Sequence, residues 1–180
     1  GVEQSTAALF GMTSVAMRTC RHADIRMGDR VLVVGAGIIG QTAAQIARCM
    51  GGQVTICDID DERLQMAREI GAAEAAVNVD GDGWKENIAD FSYEAVIDVA
   101  GVPGMEDRLV SAAAPRGRVM FIACRDKVCY TFNIGQGHEI NIRQNSHFDN
   151  SDLANLARLV AQGDVQIKPL IKDILPAAEA

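Results

Sequence analysis

The sequence predicts a doubly wound α/β fold, with a parallel six-stranded sheet in the order 3-2-1-4-5-6 and helices on both faces. Apolar strand segments alternate with helical segments along most of the 180 residues, which is typical of parallel sheets built from right-handed crossovers. Residues 31–40 join a strand to a helix through glycines spaced G-x-G-x-x-G. Hydrophobic residues make up 48% of the chain, enough for a sheet that is buried on both faces.

The N-terminal half of the chain contains a leading helix and three strands. Apolar residues at helical spacing predict a helix over 3–19, and Gly28-Asp29 forms the turn that follows it. Strands are predicted at 31–35, 53–58 and 75–79, and helices at 38–50, 61–70 and 84–89. Asp60 or Asp61 is expected to cap the second of these helices, and Trp84 is expected to pack against the edge of the sheet.

The C-terminal half continues the alternation. Strands are predicted at 95–99, 118–123, 129–134 and 140–142, and helices at 105–114 and 152–162. The first of these helices is expected to end near Pro115, and Asp149 or Ser151 is expected to cap the second. The acidic run at 80–83 is interpreted as a solvated turn, because it lacks the remaining ligands of a calcium loop.

The glycines and the acid after the second strand predict a dinucleotide site. Gly35 permits the tight turn, Gly37 lets the backbone approach a diphosphate, and Gly40 lets the helix lie close to the strand. Asp58 lies eighteen residues after Gly40, where a carboxylate can accept both ribose hydroxyls of NAD. The alternative is a glycine-rich strand-to-helix turn that binds no ligand, and the ordered set of strand, glycines, helix, second strand and acid favours the dinucleotide site over it.

Composition excludes several classes of function. The net charge of −7, the pI near 4.9 and the scattered basic residues argue against nucleic acid as a partner. No apolar run approaches the roughly 20 residues that cross a bilayer, and no signal-peptide pattern opens the chain. The five cysteines form no C-x-x-C pair, which favours reduced thiols and a cytoplasmic protein.

The titratable residues predict neither a catalytic group nor a metal site. His22, His138 and His147 do not cluster, and no Ser-His-Asp arrangement with the order of a triad is visible. Asp98 stands in an apolar strand, so it is either a catalytic acid or a structural carboxylate bonded to backbone amides. The structural interpretation is preferred.

With these segments in place, nearly the whole chain resembles the coenzyme-binding region of the medium-chain dehydrogenase/reductase superfamily, the zinc-type alcohol dehydrogenases and their relatives. The matching segments are AALFGMTSVA at 7–16, MGDRVLVVGAG at 27–37, CDIDDERL at 57–64, EIGA at 69–72, VIDVAG at 96–101, RGRV at 116–119, IKPLI at 167–171 and LPAAEA at 175–180. The resemblance implies a single NAD-binding Rossmann domain over 1–180. In it, 1–27 form a leading helix and turn, 28–148 the nucleotide-binding core, and 149–180 the last helix and the return towards a catalytic domain.

The resemblance also implies which residues contact the coenzyme. The expected cofactor-binding set is Gly35, Gly37, Ile38, Ile39, Gly40, Asp58, Arg63, Val99, Ala100, Gly101, Ala123, Cys124 and Asn145. Gln144 and either Thr13 or Ser14 are expected near the nicotinamide side. Arg63 is the family's basic residue near the adenosine ribose or, alternatively, an ordinary exposed arginine with partners four residues away.

Zinc is where this chain departs from the family pattern. Many zinc enzymes of the family have a ligand near the first helix, at the position where this chain has Phe10-Gly11. Neither residue can bind a metal. The family places a largely β catalytic domain, with most zinc ligands and the proton relay, before this region. The parent protein therefore either has no catalytic zinc or takes every ligand from that domain.

Two classes of function remain open. The preferred one is the NAD(H)-binding domain of an oxidoreductase that transfers hydride between nicotinamide and an alcohol or carbonyl substrate, with little turnover by this domain alone. The alternative is a regulatory dinucleotide-sensing domain of a channel or transporter. The β-prone segment 128–134 lacks protective charge, which predicts a homodimer formed by pairing this edge, unless the strand pairs within its own chain.

Overall fold

A computed structural model describes residues 3–175, in which six strands form one parallel sheet. The strands are β1 (Arg30–Val34), β2 (Gln53–Asp58), β3 (Ala75–Asn78), β4 (Tyr93–Asp98), β5 (Ala113–Phe121) and β6 (Asn141–Gln144). Their order is β3-β2-β1-β4-β5-β6, so the predicted topology is confirmed. The chain changes direction across the sheet between β1 and β4, and such sheets bind ligands at this point, outside the carboxyl ends of the strands. The tail resemblance at 176–180 lies outside the described residues.

Helices cover both faces of the sheet. They are α1 (Gln4–Ala8), α2 (Phe10–His22), α3 (Ile38–Cys49), α4 (Asp61–Glu69), α5 (Gly83–Asn87), α6 (Glu106–Ala112), α7 (Phe132–Gly137) and α8 (Asn150–Gln162), followed by a 3₁₀ turn at Lys168–Leu170. None of the helices within 3–175 has the length and apolar character needed to cross a membrane.

Alternate residues of β1 divide the core into two layers. Val31 and Val33 face the layer that holds α2, α3, α4 and α8, whereas Leu32 faces the layer that holds α5 and α6. Successive side chains of a strand point to opposite faces, which is why one apolar run serves both layers. Trp84 is buried in the second layer, as predicted.

The structure identifies the N-cap residues of α4 and α8. Asp60 caps α4, where its carboxylate accepts from the N–H groups of Glu62 at 2.9 Å and Arg63 at 3.2 Å. Asp149 caps α8, and Asp152 completes a reciprocal capping box. The sequence predicted Asp60 or Asp61 for the first helix and Asp149 or Ser151 for the second, and in each case the first residue named is the cap.

The prediction of one helix over 3–19 is wrong. The segment forms two helices separated at Leu9, and the second continues to His22. The Leu9 N–H bonds to the carbonyl of Thr6 at 3.1 Å, a tight turn that ends α1. The Thr13 hydroxyl donates to the Leu9 carbonyl at 2.9 Å at the start of α2.

The prediction of a strand at 129–134 is also wrong. Residues 127–131 form neither helix nor strand, and α7 begins at Phe132. Thr131 is held by Asp107, which accepts from its N–H at 2.5 Å and its hydroxyl at 2.8 Å. The position beside β5 is occupied by β6, so the sheet offers this segment no free edge there.

The boundary between α6 and β5 lies earlier than predicted. The helix ends at Ala112 rather than at 114, and β5 begins at Ala113 rather than at 118. Pro115 disfavours the helical conformation in the residue before it, so the chain becomes extended early. The pairing with β4 is irregular between Tyr93 and Ala95, where this early start is accommodated.

Candidate functional site

The glycine loop after β1 brings a helix N-terminus to the carboxyl end of the sheet. Gly35 has φ of +106°, a conformation that favours glycine. A Cβ on Gly40 would lie 1.8 Å from the Gly35 carbonyl oxygen, so only glycine allows this close approach of α3 to the strand. Gly37 is the N-cap residue of α3 and is extended.

The N-terminus of α3 is open to a ligand. No side chain caps this twelve-residue helix, and a Cβ on Gly37 would meet no atom within 4 Å. The first N–H groups of a helix have no partners within the helix, so those of Ile38 and Ile39 are available as donors. They also lie at the positive end of the helix dipole, which favours an anion.

A cavity of about 850 Å³ lies beside this helix end. Its walls come from the glycine loop, α1, α4 and the segment after the 3₁₀ turn, with Leu9, Gly37, Ile38, Arg63, Met66 and Lys172 among the lining residues. Gln41 supports the loop from below, because its amide donates to the Ala36 carbonyl at 2.9 Å. The cavity therefore combines an apolar wall with the charged side chains of Arg63 and Lys172 and those of two acids, Glu62 and Asp173.

Asp58 ends β2 next to the glycine loop. Its carboxylate accepts from the N–H groups of Ala36 at 2.6 Å, Ile59 at 2.8 Å and Asp60 at 3.1 Å. Its side chain is only 8% exposed. A carboxylate has about four acceptor positions, so three backbone bonds leave room for one further donor. Asp58 thus fixes the loop in addition to any role towards a ribose.

Arg63 lies between two acids rather than in the i,i+4 arrangement considered above. Its guanidinium is 3.7 Å from Asp58 and 3.3 Å from Asp60. Sequence reasoning missed the neighbouring Ile59, which is 67% exposed. A large apolar side chain directly after a strand-ending acid is the signal that could have identified it as a surface for a flat ring.

The ends of β4 and β5 continue the site on the other side of β1. The Asp98 carboxylate accepts from the N–H groups of Ala100 at 3.2 Å and Gly101 at 3.1 Å, which confirms the structural interpretation of this acid. Gly101 has φ of +70°, and a Cβ there would lie 2.6 Å from the Cβ of Ala123. The loop after β4 and the end of β5 are therefore in close contact.

Sequence reasoning also missed a buried arginine at this place. Arg125 pairs with Asp98, and its Nε donates to the Ala123 carbonyl at 3.3 Å. Its guanidinium carbon lies 5.2 Å from the centre of the Phe121 ring. A lone arginine shortly after an apolar strand, with an acid at the end of the neighbouring strand, is the pattern that could have revealed the pair.

Several predicted residues are engaged elsewhere. The Asn145 side-chain amide donates to the Thr19 hydroxyl at 3.2 Å, which ties the end of β6 to α2. Thr13 is fully buried, and its hydroxyl donates to the Leu9 carbonyl at the start of α2. Ser14 is buried, and its hydroxyl has no hydrogen-bond partner among residues 3–175. Gln144 lies in β6, at one edge of the sheet.

The residues present do not fit a zinc site. No group of three or more His, Cys, Asp or Glu side chains with metal-binding geometry occurs within 3–175. At the position where the family resemblance expects a ligand, Gly11 has no side chain and a Cβ there would face open space. Burial raises the pKa of the Cys57 thiol to about 12, which keeps that sulfur protonated and unsuited to metal binding.

Comparisons with known proteins agree with this geometry. A family model described as zinc-binding dehydrogenase matches residues 39–162. The chain is 25% identical over 188 residues to 2-dehydro-3-deoxy-L-galactonate 5-dehydrogenase of Pseudoalteromonas atlantica, covering 99% of this chain and 53% of that protein. It is 32% identical over 126 residues to L-threonine 3-dehydrogenase of Burkholderia ambifaria, covering 67% and 36%.

Solved structures show the same fold. A short-chain alcohol dehydrogenase from Escherichia coli, in complex with NADH, superposes with a TM-score of 0.82 at 23% identity, covering 93% of this chain and 51% of that one. For 2R,3R-butanediol dehydrogenase from Bacillus subtilis the TM-score is 0.79 at 20% identity, with 90% and 48% covered.

The chain spans about half the length of the first of the curated relatives, and about a third of the second. The named relatives are dehydrogenases, which favours the enzyme hypothesis over the nucleotide-sensing one. The family model covers more than half of the chain, including α3, β2, β4 and β5. This chain belongs to the zinc-binding dehydrogenase family.

Proposed function

We propose that this chain binds NAD(H) and forms the coenzyme-binding domain of an alcohol dehydrogenase-like oxidoreductase. The observation that carries the proposal is the uncapped N-terminus of α3, open at Gly37, beside a strand that ends in Asp58. Anions bind at such helix ends, and an acid on the neighbouring strand distinguishes a dinucleotide from a simple phosphate.

The diphosphate would lie over the glycine loop. The N–H groups of Ile38 and Ile39 would donate to its oxygens, while the absence of a side chain at Gly37 leaves space for them. Lys172 also lines the cavity, and its ammonium group, now 4.0 Å from the Glu62 carboxylate, would turn to the diphosphate. Gly35 and Gly40 act indirectly, because they permit the close packing that sets the direction of the helix.

The adenosine ribose would use the acceptor capacity that remains on Asp58. A 2′-phosphate at this position would be repelled by the carboxylate, so NAD(H) is favoured over NADP(H). Arg63 neutralises part of that charge, since it already pairs with Asp58 and Asp60. The exposed Ile59 side chain offers an apolar surface to the adenine ring.

The nicotinamide half would extend along the ends of β4 and β5. The proposed contacts here are Val99, Ala100, Gly101, Ala123 and Cys124, and Asn145 is retained only as a more distant candidate. Adjacent strands lie about 4.8 Å apart, so the step from β2 across β1 and β4 to β5 spans about 14 Å. This is a distance that an extended dinucleotide can cover.

The nicotinamide, when bound, supplies the hydride acceptor or donor, and the chain supplies orientation. We propose that the longer protein acts on a small-molecule alcohol or carbonyl compound, and that substrate binding and proton transfer depend on its other domain. This chain alone is then expected to bind coenzyme and to turn over little substrate.

We also propose the division of the chain into a leading helix and turn at 1–27, a nucleotide-binding core at 28–148, and a last helix and return at 149–180. Helices α2, α3 and α8, one from each part, share one core, which supports treating the three parts as a single domain.

The experiment is a calorimetric titration of the chain with NADH and NADPH, repeated on Asp58→Ala and Asp58→Asn. We expect the unchanged protein to bind NADH more tightly than NADPH, and we expect both substitutions to reduce the ratio of the two affinities. Asp58→Asn is the matched control, because its amide oxygen can still accept from the Ala36 N–H and hold the loop. Equal affinities of the unchanged protein for the two coenzymes would refute the ribose assignment.

We further propose that the protein forms homodimers through residues 128–130, the part of the predicted edge 128–134 that precedes Thr131 and α7, in a reducing compartment such as the cytoplasm. Among the described residues, 127–130 make no backbone–backbone hydrogen bonds, and the adjacent Phe132 is 68% exposed. Two copies of this segment could pair with each other even though it forms no strand within one chain. The exposed thiols of Cys124 and Cys129 suit a reducing environment. Sedimentation that shows only monomers at high concentration would refute the dimer.

A further inference from the structure

A buried ionic cluster lies beneath the proposed nicotinamide side of the crevice. It consists of Asp98, Glu106 and Arg125, whose side chains are 1%, 7% and 9% exposed. The Arg125 guanidinium pairs with Asp98, and its Nη1 lies 3.6 Å from a Glu106 carboxylate oxygen. Buried ions are costly unless they are paired, so each member of the cluster depends on the others.

The cluster connects three separate pieces of backbone at the carboxyl end of the sheet. Asp98 holds the N–H groups of Ala100 and Gly101. Glu106 accepts from the N–H of Gly104 at 2.9 Å, and the Nε of Arg125 donates to the carbonyl of Ala123. The guanidinium therefore joins the loop after β4 to the segment after β5, and it adds to the backbone bonds from the N–H groups of Ile122 and Ala123 to the Asp98 carbonyl at 3.0 Å and 3.3 Å.

These two segments are packed closely against each other. A Cβ on Gly101 would lie 2.6 Å from the Cβ of Ala123 and 3.6 Å from Nη2 of Arg125. A shift of the guanidinium would consequently move Ala123 relative to Gly101, because the same side chain is bonded to the Ala123 carbonyl and to the acid that holds the Gly101 N–H. Arg125 is therefore bonded to both walls of this contact.

We infer that Arg125 is a positioning residue for the nicotinamide half of the coenzyme, acting through the loop 99–101 and through Ala123. The inference rests on the proposed NAD(H) site and adds to it a residue that itself lies below the binding surface. Coenzyme orientation is sensitive to small displacements, since a misplacement of about 1 Å can reduce a rate about 100-fold. A buried arginine that fixes two walls of the site controls displacements of that size.

The two acids of the cluster hold the guanidinium to different degrees. Nη1 of Arg125 is buried and lies 3.6 Å from the Glu106 carboxylate, which is an ion pair without a close hydrogen bond, whereas Asp98 is in direct contact with Nη2. Arg125 therefore acts mainly on Asp98 and on the N–H groups of Ala100 and Gly101 that this acid holds.

The test compares two ligands that differ only in the nicotinamide. NADH and ADP-ribose share the adenosine, the diphosphate and the second ribose, so a change confined to the nicotinamide wall affects NADH alone. We expect Arg125→Met to weaken NADH binding at least about tenfold and ADP-ribose binding less than about twofold. Arg108→Met is the matched control, because Arg108 is an exposed arginine on α6, and it should change neither affinity.

A second variant separates positioning from stability. Arg125→Met leaves Asp98 and Glu106 buried without their cation, so the thermal midpoint should fall. The double variant Asp98→Asn, Arg125→Met removes the two charges in closest contact, leaves Glu106 as the one remaining charge of the cluster, and introduces an amide oxygen at position 98 that can still accept from the backbone. We expect its midpoint to recover in part while the loss of NADH affinity relative to ADP-ribose remains. Arg125→Lys, which restores one donor and the charge, should recover part of the NADH affinity.

Three results would overturn the inference. Arg125→Met could bind NADH as the unchanged protein does, it could weaken both ligands equally, or the double variant could regain NADH affinity together with stability. Failure of the proposed function looks different, because the unchanged protein would then bind neither NADH nor ADP-ribose.

Discussion

Adding one methyl group to Gly40 is expected to disrupt both the fold and the binding of coenzyme. The new Cβ would lie 1.8 Å from the Gly35 carbonyl oxygen and 2.9 Å from its carbon. Both atoms belong to the backbone, so no side-chain rotation relieves the clash. Helix α3 must therefore move by at least 1.2 Å, from 1.8 Å to the 3.0 Å separation that real Cβ contacts require.

The size of the effect follows from that displacement. Overpacking of a well-packed site costs typically about 1–3 kcal/mol of stability, and we expect Gly40→Ala to lie at the upper end because backbone has to shift. The same movement lengthens a hydrogen bond of about 2.9 Å from α3 to the diphosphate beyond bonding distance. Loss of one hydrogen bond to a charged group, about 1.5 kcal/mol, corresponds to about a tenfold loss of NADH affinity.

Gly37→Ala is the informative comparison. Gly37 has φ of −74° and open space where a Cβ would stand, so stability should remain within about 0.5 kcal/mol. The methyl group would nevertheless occupy the space proposed for the diphosphate, and NADH affinity should fall. Gly11→Ala, at another open position in a helix, is the control and should leave NADH affinity unchanged.

Urea unfolding followed by circular dichroism gives the stabilities, and NADH fluorescence titration gives the affinities. The expected pattern is loss of both properties in Gly40→Ala, loss of affinity alone in Gly37→Ala, and loss of neither in Gly11→Ala. The reasoning is refuted if Gly40→Ala unfolds and binds as the unchanged protein does, or if Gly37→Ala is destabilised as strongly as Gly40→Ala.

The remaining predictions concern the fold and its thiols. Asp60→Ala should lower the free energy of unfolding by about 1 kcal/mol, because α4 loses its N-cap. Asp60→Ser should retain most of the stability that the cap contributes, since serine also caps helices. Equal losses of unfolding free energy for the two variants in urea melts would contradict this role. Leu32→Ala, at a fully buried position, should cost about 2–5 kcal/mol, and a loss below about 1 kcal/mol would show that the core collapses around the gap. At pH 8 a thiol reagent should modify exposed Cys124 in the native state but should reach buried Cys57 only after unfolding. Burial raises the pKa of Cys57 to about 12. The stability that the buried thiol contributes is therefore complete below the pKa of the unfolded thiol, about 8.5, and declines as the pH rises towards 12. Unfolding of Cys57→Ala and of the unchanged protein, measured between pH 8 and 11, tests this, and a difference in unfolding free energy that does not change with pH would contradict it.

Much of the fold could be predicted because its signals are local. The apolar run of β1 and the glycines after it depend on neighbouring residues only, and the observed α3 differs from the prediction by one residue at its end. Right-handed crossovers then determine the strand order without reference to any particular contact. The structural role of Asp98 was predictable on the same ground, since its bonds to backbone amides reach only two and three residues along the chain.

One error occurred where partners distant in the sequence decide the conformation. Residues 129–134 have high strand propensity, but β6 occupies the place beside β5 and Asp107 holds Thr131, so a helix follows instead. The hydrogen bond from Asn145 to Thr19, 126 residues away along the chain, was also not predicted. No local pattern reports such a contact.

By itself, the sequence determined that this protein is a doubly wound sheet with a helix N-terminus presented at the end of β1, because strand periodicity and glycine spacing are properties of neighbouring residues. Only the tertiary structure decided that Asp58 supports the glycine loop through the Ala36 N–H, and that Arg125 joins the ends of β4 and β5. Hydrogen bonds and ion pairs of this kind form between segments that the fold brings together. Their energies depend on burial and distance, and neither quantity exists until the chain has packed.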